Sequence, residues 1–78
     1  VKFLNRDFIL KNNRAKQIRL NNNLTIEQAS KEMKRKTKHI ISGSAIRNYE
    51  IGKTVMEHDF RKALAKTYGV SLRYMDGY

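Results

Sequence analysis

The stretch "IISGSAIRNYEIGK", Ile40 to Lys53, carries the pattern on which the fold turns. Ser42 is a favoured helix N-cap, because its side-chain oxygen accepts a bond from an otherwise orphaned backbone N–H. Ile46 and Tyr49 follow at the i,i+3 spacing of one helical face, and Gly43, Ser44, Arg47 and Asn48 fall on the other. Ile51 to Lys53, "IGK", reads as the stop. The start of this helix has almost no side chain. Its free N–H groups and positive dipole end therefore stay open to something large and anionic.

The preceding segment is a second helix with its own start signal. Thr25 and Gln28 form a capping box, and Leu24 with Ala29 resembles a hydrophobic staple. Ile26, Ala29 and Met33 mark its buried face, and "KEMKRK" continues it to about Lys36. "TKHI" reads as the connector between the two. Upstream, a helix is expected from about Asn13 to Asn22, with Ala15 and Ile18 on one face and "NNN" ending it. Phe3, Leu4, Phe8, Ile9 and Leu10 either extend that helix backwards or form a separate short element over the core. Downstream, a helix over about Met56 to Tyr68 presents Phe60, Ala63, Leu64 and Thr67, and Gly69 closes it. Ser71 caps a last short helix through Leu72, Tyr74 and Met75, followed by Gly77. The expected class is all-α: four or five short helices around one core, with residues 1–78 as one domain and 1–12 as an N-terminal extension.

Charge narrows the function. Seventeen Lys and Arg oppose seven acids, for a net charge of +10, and such self-repulsion points to a polyanionic partner. The bases are spread: six lie in residues 1–20, five between Lys31 and Lys38, and six beyond. That distribution suits a surface met at several points better than a disordered basic tail. No cysteine is present, so neither a disulfide framework nor a Cys-based zinc site is available. No apolar run approaches the roughly 20 residues that span a bilayer, and Arg6 and Asp7 interrupt the start, which does not read as a signal peptide.

A capped helix, a connector and a helix with a polar outer face form the architecture of DNA-binding helix-turn-helix proteins. From Arg14 to Gly77 the chain resembles the lambda repressor and Cro type of DNA-binding domain, also called XRE-type. The matching residues are Ile18-Arg19, "LTIEQAS" at Leu24 to Ser30, "SGSAIRNYEIGK" at Ser42 to Lys53 and "LAKTYGVSLRYMDG" at Leu64 to Gly77. The resemblance implies a helix-turn-helix over residues 25–50 and a DNA-facing set of Thr25, Gln28, Lys38, Ser42, Gly43, Ser44, Arg47, Asn48 and Lys53. It also implies a structural ion pair between Arg19 and Glu50. The chemistry agrees: Asn reads adenine and Arg reads guanine, while Lys and Arg on phosphates supply affinity.

The chain departs from the family pattern in three places. The segment from Met33 to Ser42 is longer than the tight family turn, which implies a second helix extended by about one turn, with Ile40 and Ile41 keeping the interhelical angle. Ile26 stands where Gln is frequent, and Ile51 where Asn is frequent, so two phosphate contacts are lost. Lys34, Arg35, Lys36 and Lys38 are placed to compensate.

The resemblance further implies a repressor of a phage or Gram-positive bacterium, dimeric on a near-palindromic operator, cytoplasmic and nucleoid-associated, with a possible C-terminal domain outside this chain. It implies no cofactor, no metal and no membrane. Alternatives are an antitoxin-type autorepressor with a protein partner, or a non-specific module for nucleic acids such as RNA. A cationic membrane-active helix fits the caps less well. "EHD" at Glu57 to Asp59 invites a catalytic reading, but helical neighbours diverge, and His39 has no carboxylate at useful spacing, so no enzyme is expected. Tyr49 and Tyr68 read as core or interface aromatics.

Overall fold

The computed structural model describes residues 6–78; Phe3, Leu4 and the start of the N-terminal extension lie outside the described residues. Among the described residues there are six helices and no strand: α1 (Arg6–Asn12), α2 (Ala15–Asn21), α3 (Ile26–Thr37), α4 (Gly43–Glu50), α5 (His58–Tyr68) and α6 (Leu72–Asp76). The class is all-α, as expected. None of these helices is long and apolar enough to cross a membrane.

Local chemistry accounts for the helix starts. Thr25 accepts a bond from Gln28 N–H at 3.1 Å, and Gln28 Oε1 accepts one from Thr25 N–H at 2.8 Å. Ser42 and Ser71 accept from Ala45 and Tyr74 N–H. Each such cap is worth about 1 kcal/mol. Lys38, Gly69 and Gly77 close their helices in the left-handed conformation.

Phe8, Ile9 and Leu10 lie in a separate helix, α1, rather than in a backward extension of α2. Asn13 causes the break. Its side-chain amide donates to the carbonyls of Ile9 and Tyr49, both at 3.0 Å, and its oxygen accepts from Ala15 N–H. One side chain thus ends α1, starts α2 and ties both to α4. The helix expected from Asn13 accordingly begins at Ala15. Two glycines seat this junction. A Cβ on Gly52 would stand 2.7 Å from the Leu10 carbonyl oxygen, and one on Gly77 2.4 Å from that of Asn12, and both glycines have positive φ.

Ile9, Ala15, Ile18, Ala29, Met33, Ile46, Tyr49, Leu64 and Met75 form the centre of the core. α5 runs through its middle and buries more than the expected stripe: Arg61, Ala65 and Tyr68 are enclosed besides Ala63, Leu64 and Thr67, with Phe60 half-buried at the edge. It begins two residues later than expected, because Val55 and Met56 enter the core as loop residues.

Arg61 is fully buried. Its Nη1 donates to Asp76 at 3.4 Å and its Nε to the Met56 carbonyl at 3.2 Å. Tyr49 donates its hydroxyl to the other Asp76 oxygen at 2.9 Å. Burial raises the Asp76 carboxyl above its ordinary pKa, against the pull of the Tyr49 and Arg61 contacts. Burial, reinforced by the neighbouring Asp76 charge, raises that of the Tyr49 hydroxyl. One carboxylate therefore joins α4, α5 and α6. Truncating it leaves a guanidinium in the core without its counter-charge. Asp76→Ala should cost about 3–5 kcal/mol and Tyr49→Phe about 1 kcal/mol in denaturant unfolding. Equal costs for the two substitutions would contradict this arrangement.

Candidate nucleic-acid interface

The connector after α3 sets the interface. α3 extends to Thr37, about a turn beyond its last fully buried residue, Met33. Lys38 then turns left-handed at φ +67° and the chain reverses. Ser30 donates its hydroxyl to the Ile41 carbonyl at 2.6 Å, so the connector has returned to the second turn of α3 by that point. The return from Thr37 to the level of Ser30 is about 10 Å of helix rise, which four extended residues span. The extra length of α3 is cancelled by this backtrack.

The two helix starts consequently meet. Ile26 is the first residue of α3 and Gly43 the first of α4. A Cβ on Gly43 would lie 3.1 Å from Ile26 Cγ2. Gly43 is thus small partly because Ile26 packs against it, a reason invisible in the sequence. Ile26 is half-buried in that contact. Of the two connector isoleucines only Ile41 packs on the core; Ile40 is 70% exposed and does not hold the interhelical angle.

The rotation of α4 follows from its inner face. Ile46 and Tyr49 are fully buried. Glu50 receives two bonds from Arg19 of α2, Nε to Oε2 at 2.8 Å and Nη2 to Oε1 at 3.1 Å, and Arg19 also donates to the Leu24 carbonyl. The bond to Glu50 raises the Arg19 pKa, with burial opposing. The Tyr68 hydroxyl is buried without a partner and its pKa is raised by that burial, with the Glu50 charge adding to it.

With that face fixed, Ser42, Ser44 and Arg47 are exposed and Gly43 and Asn48 half-buried. No acid stands in the first turn of α4, whereas Glu27 stands in that of α3. Thr25, Gln28 and Ser42 are committed to capping, although the hydroxyl and amide protons of these groups remain available as donors. Lys53 is exposed beyond α4, its N–H held by the Asn48 carbonyl at 2.8 Å. Ile51 is 64% exposed at the α4 C-cap.

Lys38 lies elsewhere, at the far end of α3. Arg35 is paired with Glu32 at 2.8 Å, while Lys36 donates to the neutral Thr67 carbonyl at 3.2 Å and keeps its charge. Of the four bases placed to compensate for Ile26 and Ile51, Arg35 has its charge offset by Glu32. Lys62 and Lys66, absent from the sequence-derived set, stand exposed on α5. Their i,i+4 spacing on the polar side of an otherwise buried helix was the available signal. His58 and Asp59 are exposed and 3.7 Å apart. His39 packs edge-on against Phe60.

Comparison with protein-family models, with curated proteins and with solved structures finds no match. What supports a function is therefore the geometry of this chain.

Glu50→Ala should cost about 3–5 kcal/mol in unfolding free energy, because Arg19 loses its partner in a nearly closed site. A cost below about 1 kcal/mol, the range of exposed pairs, would contradict a structural role.

Proposed function

We propose that this chain is a helix-turn-helix domain of the lambda repressor type that binds double-stranded DNA and reads its sequence with α4. The observation that carries the reading is the meeting of two helix N-termini at Ile26 and Gly43, with Ser44 and Arg47 exposed beside it. Two positive dipole ends with unsatisfied N–H groups form a natural seat for the phosphate backbone. A helix whose first turn bears small side chains can press into the major groove, which is about 12 Å wide. The +10 charge supplies the sequence-independent part of affinity.

In this reading Arg47 and Asn48 contact base edges, Ser44 contributes a short contact, and the start of α3 and Lys53 hold phosphates. Gly43 leaves room rather than making a contact. The biological role is that of a transcriptional regulator, most simply a repressor, bound as a dimer to a near-palindromic operator with half-sites about one helical turn apart. The Arg19–Glu50 and Tyr49–Asp76 bonds serve this function indirectly, by fixing which side of α4 faces outward.

Selection of bound duplexes from a random pool should return a common motif, and that motif should outcompete random duplex. Asn48→Ala and Ser44→Ala should then narrow the gap between motif and random duplex by about 1–3 kcal/mol per lost base contact. Lys53→Ala should weaken binding to both alike and lower the salt slope by about one. A pool that enriches no motif, or equal losses on motif and random duplex for all three substitutions, would contradict the proposal.

A further inference from the structure

A second cationic surface lies away from the reading edge. A shallow groove on α3 is lined by Lys31, Lys34, Arg35 and Lys38. It meets a second groove, between the end of α3 and α5, whose charged lining is Lys36, Lys38, Asp59, Lys62 and Lys66. A third groove, on the α6 side of α5, shares Lys62 and Lys66. The three form one continuous band in which Asp59 is the only acid lining a groove. Thr25 and Lys38 flank opposite ends of a twelve-residue helix, so the band begins at Lys31, about 8 Å of helix rise from the meeting point of the helix starts, and reaches Lys38 at about 18 Å. Lys38, Lys62 and Lys66, which line one groove, thus stand at the opposite end of α3 from the proposed seat of the first duplex.

The make-up of the band indicates its occupant. Its free cations are lysines: point charges on flexible stems, suited to a phosphate track. Its one arginine fork, the device best matched to a carboxylate, is already filled by Glu32. The band crosses two helices, too far for a small anion to engage as a whole, and a phosphate backbone supplies charge along that length.

We propose that this band binds the backbone of a second DNA duplex, so that one molecule holds two duplexes, one at the α3–α4 start and one across α3 and α5. The inference rests on the DNA-reading proposal for the first duplex. Bridging then follows from the placement of the two surfaces on opposite ends of α3.

The test is capture of a fluorescent random-sequence duplex by an immobilised one of about two helical turns, in low salt. Wild-type protein should bridge them. Lys38→Gln/Lys62→Gln/Lys66→Gln should still load the immobilised duplex but capture at least tenfold less of the second, because three phosphate contacts are gone. Arg6→Gln/Lys11→Gln/Lys16→Gln removes the same charge from exposed positions on α1 and α2 and should bridge as wild type does. Circular dichroism checks that both proteins fold alike. Bridging retained by the band variant, lost equally by both triple variants, or lost only in proportion to loading of the first duplex, would overturn the inference. So would loss of polyglutamate binding in the band variant with duplex capture intact, since the occupant would then be an acidic polypeptide. Failure of the DNA-reading proposal has a separate signature. Ser44→Glu places a carboxylate at the start of α4, where it favours the helix and repels phosphate. If that protein bridges as wild type does while the band variant does not, the first duplex sits elsewhere and the band assignment stands.

Discussion

Two consecutive side chains of α4 hold the structure in register. Tyr49 bonds Asp76, which Arg61 also engages, and Glu50 bonds Arg19. The first links α4 to α5 and α6, and the second links it to α2. Apolar packing of Ile46 and Tyr49 sets the inward face of α4, but such contacts are less directional than hydrogen bonds and leave some freedom in its exact rotation. Two directional polar contacts on adjacent residues remove that freedom. The outward face of α4 is then decided by bonds on its inward face.

Stability and the orientation of α4 are coupled through this device. Paired buried charges add little net stability over apolar packing, yet removing one partner is costly. Their value here is orientation: Ser44 and Arg47 stay outward because Tyr49 and Glu50 cannot turn. The backtracking connector has a parallel role. Ser30 holding Ile41 lets α3 be long without moving the start of α4 away from Ile26. The added length instead carries lysines to the far end of the helix.

Much of the fold was legible because its signals are local. The capping box of Thr25 and Gln28, the caps of Ser42 and Ser71, and Gly69 and Gly77 are read within four residues of each helix end. What escaped is non-local. Arg61 resembles a surface base until its partners, 15 residues ahead at Asp76 and five behind at Met56, are known. Its place in the row Arg61, Leu64, Ala65, Tyr68 was the one available hint. Asn13 looked like a helix start and acts as a break, because its amide reaches Tyr49, 36 residues away. For the candidate site, helical period was enough to place Ile46 and Tyr49 inward and Ser44 and Arg47 outward, whereas the half-burial of Gly43 and Asn48 was not legible. The second reason for Gly43, its contact with Ile26, needed the packing of two helix ends, and so did the bond from Lys36 to the Thr67 carbonyl.

The central claim is that the adjoining starts of α3 and α4 are where DNA is met. Backbone amide shifts during titration with a duplex recovered by selection test it directly. The largest shifts are expected on Ile26, Glu27, Gly43, Ser44, Ala45 and Arg47, with the α1–α6 contact around Asn12 and Gly77 nearly silent. Shifts centred on that contact, with the α4 start unmoved, would contradict it.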